Sequence, residues 1–345
     1  MKALVIYPPH DMRIEEVETQ PLGVSQLRVH VLSGGICGSD LHYYQHGGFG
    51  TVRLREPMIL GHEVSGAVVE AGSEVSGFKV GDRIAINPSR PCGRCRYCME
   101  GKPNHCLAMR FHGSAAPIPH INGLFRQDIV IEDWQAFKVA DDVSNGEAAI
   151  AEPLSVALHA VRRAGTVLGK RVLVTGCGPI GVLLIMVARR AGAAEIVATD
   201  IVDEALVIAR SAGADRIINT SSDPAVLAAY GSDKGSFDIL FEASGAEKAL
   251  QAAIDVVRPC GIIMQVGNSG SSMTLPVNLI SAKELDLRGS YRFHEEFGQA
   301  LTFLNSRLID VRPLITASFP FTQFKDAFAL AGDRRHAMKV QLTFE

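Results

Sequence analysis

The 345-residue sequence predicts an α/β protein built from a doubly wound parallel sheet and a second, barrel-like β domain. Three observations predict it. Residues 1–90 are broken into short β-rich runs by Gly, Pro and Asp; residues from Lys170 to Gly289 alternate apolar strands with helical periodicity; and a glycine-rich turn joins the first of those strands to the first of those helices. The length agrees, since one domain typically takes about 150 residues.

Composition narrows the function classes. Hydrophobic residues make up 47% and charged residues 21%, which suits packed cores and excludes disorder. A formal net charge of -3 gives no general attraction to nucleic acid or anionic membrane. No apolar run reaches the roughly 18 residues that would span a bilayer, so neither nucleic acid nor membrane is expected as a partner. The opening, Met1 to Pro9, is too short in apolar residues for a signal peptide and reads as a strand ended by prolines. A cytoplasmic location is expected. In that reducing compartment, seven cysteines point to metal ligation before disulfides.

In chain order, Leu27–Leu32 alternates as a strand, and Val64–Val69 and Arg83–Ile86 are β-rich between turn residues. Gly35 to Tyr44 reads as a glycine-rich loop carrying Cys37. A single cysteine is as a rule a small buried hydrophobe, and here its polar neighbours shift that balance toward ligation. Next, His62-Glu63 lies in the run Leu60 to Gly66. Imidazole and carboxylate both ligate zinc, and the flanking glycines let an ion approach closely; alone, the pair is an ordinary polar turn.

The run Cys92, Cys95, Cys98, Cys106 is the strongest local signal. Four thiolates spaced C-x2-C-x2-C-x7-C can surround one tetrahedral ion. The rival cubane cluster needs a last gap of three and a following proline, and both are missing. With all four positions filled by protein, the site should stabilise its loop and do no chemistry. The acidic balance and the single unit speak against a nucleic-acid-reading zinc ribbon.

Residues 107–150 return to loop and strand, and Ala151 to Ala160 opens a helix with Pro153 as its first helical residue and Glu152 just before it. Val172–Thr175 is then an apolar strand, followed by Gly176-Cys177-Gly178-Pro179-Ile180-Gly181 and a helix over 182–191. Strand before and helix after give this GxGxxG turn its meaning. Its glycines permit the tight bend and the approach of a pyrophosphate to a helix N-terminus. Asp200 follows the second strand, 195–199, at the distance of a ribose-binding acid. Helix 204–212, strand 216–219, strand 238–241 leading into Ser244, helix 246–257 and strands 262–266 and 285–289 complete six strands of a Rossmann domain. Cys177 and Cys260 lack ligand spacing and read as structural. The tail carries helices near 295–305 and 324–332 and a last strand, 339–342.

Four motif blocks together resemble the zinc-containing medium-chain alcohol and polyol dehydrogenases. They are Gly35 to Tyr44, the pattern G-H-E-x2-G-x5-G-x2-V from Gly61 to Val75, the four cysteines, and Glu152-Pro153-Leu154-Ser155. The resemblance covers essentially the whole chain. It implies a GroES-like β-barrel catalytic domain made of residues 1–153 and 291–345 around a Rossmann domain at 154–290. It implies two zinc ions per chain: a catalytic one on Cys37, His62 and Glu63, with Glu152 touching it directly or through water, and a structural one on Cys92, Cys95, Cys98 and Cys106. Asp40 would receive the other ring N–H of His62. Zinc would polarise an alcohol whose hydride passes to NAD, and the proton would leave through Ser39 and His42.

The same resemblance assigns the cofactor to Gly176, Gly178, Pro179, Ile180, Gly181, Asp200, Ser244 and Val266, with NAD preferred and NADP possible. The substrate, a sugar acid or polyol, would meet Ser39, Tyr43, Arg110, Phe111, Glu152 and Arg292. The blocks Gly34–Gln45, Ala85–Ser89, Met109–Phe111 with Gly113-Ser114, and Leu287–Ser290 point to an acid sugar. Arg110 is the more discriminating candidate for its carboxylate, because neutral-polyol members carry an arginine matching Arg292 and an apolar residue at 110. Gly38 departs from alcohol members, which place a basic residue there against the pyrophosphate; the phosphates must rely on the glycine turn and on residues the sequence does not identify. A homodimer or homotetramer is expected.

Overall fold

Two large sheets, of seven and six strands, with three small ones and the covering helices, are found in the computed structural model, which describes residues 1–270 and 272–344. The second half holds six parallel strands in the order Arg216–Asn219, Glu195–Asp200, Arg171–Thr175, Phe237–Glu242, Val257–Gln265, Asp286–Gly289. In sequence order this is 3-2-1-4-5-6, the doubly wound arrangement expected, with a crevice where the order reverses beyond the strand ends. The strands are apolar on both faces because both faces are covered. Val172, Val174, Ile239 and Phe241 enter one core with helices Ala151–Ala164 and Pro179–Arg190. Leu173, Val197, Leu240 and Ile263 enter the other with helix Glu247–Val256.

The first half builds a branched sheet around the long strand Gln26–Gly35, which pairs with Glu63–Ala71, Asp128–Glu132 and Lys339–Thr343. Arg83–Ile86 and Ala136–Lys138 extend one side, and Ile315–Pro320 lies parallel to Lys339–Thr343 on the other. The chain's two ends therefore share one sheet. Helix Glu296–Asn305 instead packs on helix Ala151–Ala164, and its Phe297, Ala300, Leu301 and Leu304 join the core that holds Val172 and Val174. Residues after 290 thus serve both units.

Three local expectations change. The stretch read as a loop after Gly35 contains helix Gly38–His46: Asp40 accepts the Cys37 N–H at 3.0 Å, as a carboxylate at the third position does, and Gly47 ends the helix at φ +67°. The helix that carries Glu152 starts at Ala151 and not at Pro153, whose missing N–H still falls among the first four donors that no helix can use. The fifth Rossmann strand begins at Val257, ahead of the expected Ile262.

Candidate active site

The sheet register creates the metal-ligating cluster. Gln341 and Glu63 both stand opposite Gly35, and Cys37 follows two residues later at the head of its helix. Cys37, His62 and Glu63 each present a ligand atom, all within 4.8 Å of one another. Gly35 is needed here, since a β-carbon on it would lie 2.2 Å from Glu63 Oε2. Glu63 reaches past it to Lys339, whose Nζ donates to Oε1 at 2.9 Å, to Oε2 at 2.8 Å and to the Ile36 carbonyl at 3.2 Å. The pair is buried, 3% and 1% exposed.

Burial and the neighbouring Glu63 push the Cys37 thiol up to about 12. Burial, together with Glu63 and Cys37, pushes Glu152 up to about 8, although the imidazole of His62 opposes it. One ammonium, Lys339, faces three acidic groups. A divalent cation is the charge this constellation lacks, and thiolate, imidazole and carboxylate form a fitting donor set for zinc.

Glu152 is buried at the start of its helix, where the charges of His62, Glu63 and Cys37 act on it. One expectation is corrected by this geometry. Asp40 stands 3.9 Å from His62 Nδ1, too far for a hydrogen bond; it accepts instead from Cys37 N at 3.0 Å and Gly61 N at 3.2 Å. His62 Nδ1 is left buried without a partner.

Cys92, Cys95, Cys98 and Cys106 bring their sulfurs within 4.8 Å of one another. Backbone N–H groups already point at sulfur: Cys92 N lies 3.1 Å and Ala108 N 3.4 Å from Cys106 Sγ. The N–H groups of Leu107 and Cys98 draw the Cys95 thiol down to about 6. These donors favour thiolate, the form that binds zinc. All seven cysteines are free. A third group, His159, His294 and Glu296, is equally compact, but there the protein meets the charge itself. Glu296 Oε1 pairs with His159 Nδ1 at 3.0 Å and with Arg162 at 3.4 Å.

A cleft of about 490 Å³ runs from Cys37, His42 and Glu63 to Gly178, Pro179, Ile180, Asp200 and Ser244. Its floor is a cradle that only glycine permits: a β-carbon on Gly181 would lie 1.8 Å from the Gly176 carbonyl oxygen, and one on Gly176, at φ +85°, 2.6 Å from Ser244. Asp200 accepts the Cys177 N–H at 2.6 Å and the Ile201 N–H at 2.7 Å. A dinucleotide fits this cradle. Val266 N bonds the Glu242 carbonyl just past the end of its strand, and Asn268, two residues on, lines the cleft. Ser39 and His42 stand three residues apart on helix Gly38–His46, and burial holds His42 below the ordinary histidine range.

On the substrate side, Arg292 and Arg110 separate. Residues 110 and 111 form a short strand paired with Ser89–Arg90, so their side chains point to opposite faces. Phe111 turns inward, its ring 5.5 Å from that of His62. Arg110 turns outward and is exposed. Arg292 lies over the Phe111 ring at 4.3 Å, and its charge acts on buried Tyr43, whose hydroxyl accepts the Ala115 N–H at 3.1 Å. Arg292 is therefore the arginine that lies beside the metal-ligating cluster, while Arg110 is exposed.

Sequence reasoning missed Lys339, Arg334, Asn268 and Glu242. Buried Glu242 accepts from Ser244 N at 2.9 Å and Gln265 Nε2 at 2.6 Å, and so sets the strand ends beneath the cleft. Arg334 Nη2 would lie 3.0 Å from a β-carbon on Gly178, over the glycine turn, and among the described residues no carboxylate pairs with it. Its only sequence signal was the Arg334-Arg335 pair in a polar loop.

Comparison with known proteins agrees with this geometry. Residues 23–141 match the alcohol dehydrogenase GroES-like domain and residues 179–306 the zinc-binding dehydrogenase family. The chain belongs to the zinc-binding medium-chain dehydrogenases; it is an oxidoreductase acting on small molecules, with zinc and NAD(P) as its cofactors. Among its relatives, L-idonate 5-dehydrogenase (NAD(P)(+)) of Escherichia coli strain K12 is 42% identical over 316 residues, covering 92% of this chain and 91% of that protein. Sorbitol dehydrogenase of Bacillus subtilis strain 168 is 35% identical over 334 residues, covering 96% and 93%. The crystal structure of the Escherichia coli L-idonate 5-dehydrogenase superimposes with a TM-score of 0.95 at 39% identity, covering 99% of this chain and 98% of that one.

Proposed function

We propose that the chain is an L-idonate 5-dehydrogenase, reversibly oxidising the C5 alcohol of L-idonate to 5-keto-D-gluconate with NAD, and with NADP as a second cofactor. The observation that carries the reading is the 42% identity to the Escherichia coli enzyme over 92% of the chain. Zinc, when bound by Cys37, His62 and Glu63, polarises the substrate oxygen. The chain's own groups do the rest. Arg292 offers a guanidinium for the carboxylate that distinguishes the sugar acid from a polyol. Glu152 faces the same buried place and orients the substrate hydroxyls. Ser39 and His42 carry the alcohol proton out of the cleft while the C5 hydride goes to the nicotinamide. The neutral imidazole that burial favours at His42 is the form able to take it.

The cysteine loop holds a second zinc without chemistry. Arg334 meets the cofactor's pyrophosphate, supported by its place over Gly178 and by the lack of a competing carboxylate among the described residues. Residues 1–153 with 291–345 form the catalytic unit and 154–290 the nucleotide unit. A homodimer or homotetramer is supported by the edge strand Asp286–Gly289, which leaves Leu287 exposed. A cytoplasmic location is supported by the free cysteines, and among the described residues no helix is long and apolar enough to cross a membrane.

A neutral-polyol dehydrogenase is the second reading, favoured by the 35% identity to a sorbitol dehydrogenase. Steady-state reduction of NAD and NADP, followed at the nicotinamide absorbance band with L-idonate, sorbitol and xylitol, separates them. The expected result is a clear preference in kcat/KM for idonate; equal or better turnover of sorbitol or xylitol overturns the first reading.

A further inference from the structure

Arg292 carries its guanidinium to the metal site from a left-handed backbone, φ +54°. A β-carbon disfavours that conformation, which persists only where the surroundings hold it. Rotation about the Arg292 N–Cα bond is set relative to the plane of the Tyr291–Arg292 peptide. The carbonyl of that peptide is gripped from another part of the fold: Asn104 Nδ2 donates to Tyr291 O at 3.0 Å across 187 positions of sequence. Asn104 is 5% exposed and sits in the short turn Pro103–His105, which leads directly into Cys106. Next to it, the His105 ring stacks on Tyr291 with centroids 5.8 Å apart and planes at 27°.

The two ends of the Arg292 turn are anchored differently. Ser290 N bonds the Gln265 carbonyl at 2.9 Å, Phe293 is buried in the core beside the nucleotide-domain strands, and His294 N bonds Glu296 Oε2 at 2.9 Å. The middle peptide alone is tied to the cysteine loop. We propose that Asn104 is a positioning residue for substrate recognition: it fixes the peptide plane that aims Arg292 over Phe111, and through it the four-cysteine loop orients the group that receives the substrate's carboxylate. Without that bond the peptide is free to turn, and the guanidinium leaves its place 4.3 Å above Phe111. The inference rests on the reading of Arg292 as the carboxylate's partner.

The test uses the full-length, zinc-replete enzyme with Asn104→Ala, Asn104→Leu, Arg292→Met and the double variant Asn104→Ala/Arg292→Met. Leucine keeps the side-chain volume without the donor, so it reports even where alanine disturbs folding. Both Asn104 variants are expected to raise KM for L-idonate by about tenfold, with kcat within about twofold, KM for NAD unchanged and zinc content unchanged. The double variant is expected to be no worse than Arg292→Met, because the two residues act as one unit. Additive losses, or losses accompanied by weaker NAD binding or lost zinc, would make Asn104 a plain stabiliser of its loop and overturn the proposal. Unchanged idonate KM in the Asn104 variants, with Arg292→Met costing tenfold or more, breaks the link alone. An Arg292→Met enzyme with normal idonate kinetics removes the substrate role of Arg292 and the proposal with it.

Discussion

At the scale of single residues, charge and direction decide function. Arg292 and Arg110 are equally cationic, but one lies over Phe111 beside His62 and the other faces solvent from the opposite side of a strand. A charge-assisted hydrogen bond is worth roughly 1.5–3 kcal/mol, so Arg292→Met should lower kcat/KM for L-idonate about 10- to 100-fold. Arg110→Met should change it less than about threefold. Steady-state kinetics of both variants check this, and the reverse ranking would return the clamp to Arg110. Arg334 differs from both in its place above the glycine turn. Arg334→Gln should weaken ADP-ribose binding about tenfold by calorimetry and leave adenosine unaffected, because adenosine lacks the pyrophosphate. Equal losses for NAD and NADP are expected; a loss confined to NADP would move Arg334 to the 2′-phosphate.

Elements matter through what their backbones allow. The turn from Gly176 to Gly181 closes so tightly that Gly181→Ala would drive a β-carbon to 1.8 Å from a carbonyl oxygen. Overpacking of that kind costs about 1–3 kcal/mol where the structure can shift. A lower melting temperature and at least a tenfold higher KM for NAD are therefore expected. Gly38→Ala meets nothing within 4 Å at the exposed first position of its helix and should leave the melting temperature unchanged. A neutral Gly181→Ala would show that the cradle is looser than its backbone suggests. The cysteine loop is a different kind of element, held by its metal more than by apolar burial. Cys95→Ser should remove one zinc per chain and lower stability, whereas Cys37→Ser should abolish turnover with the melting temperature retained. Metal analysis and calorimetry separate the two, and finding a single zinc in fully active enzyme would refute the division of roles.

At the scale of the whole molecule, pH acts on the fold through buried groups. His112 is 5% exposed, its Nε2 has no partner, and burial pushes its pKa down to about 4. An unfolded histidine titrates near 6.5. Between these values the unfolded chain takes up the proton more readily than the folded one, so stability falls as pH drops through this window. The loss should reach about 2 kcal/mol between pH 7 and pH 5. Glu296, held near 2 by hydrogen bonds from His159 and from backbone N–H groups that outweigh its burial, acts lower; its contribution is present above about 4.5 and lost only as pH falls toward 2. Urea midpoints at pH 7 and pH 5 test the first window. His112→Asn should flatten the difference, and an unchanged slope would assign the loss to other groups.

The sequence by itself determined whatever depends on neighbours along the chain. Apolar runs at Val172–Thr175 and Glu195–Thr199, the glycines of the cofactor turn and the spacing of Cys92, Cys95, Cys98 and Cys106 are local patterns, and each names its element or its ion without reference to the rest. Only the tertiary structure decided what depends on register. Lys339 meets Glu63 across 276 positions because the last strand pairs antiparallel beside Gly35. Asn104 meets Tyr291 across 187 because a cysteine-rich loop folds against the turn that follows the last parallel strand. Helix Gly38–His46 was hidden for a related reason: its apolar pattern is weak, and Asp40 and Gly47 hold its ends. Arg110 and Phe111 are adjacent in sequence, yet pairing with Ser89–Arg90 turns one inward and the other to solvent. A strand's alternation says that successive side chains face opposite ways, and only the sheet it joins decides which of those faces is the active site.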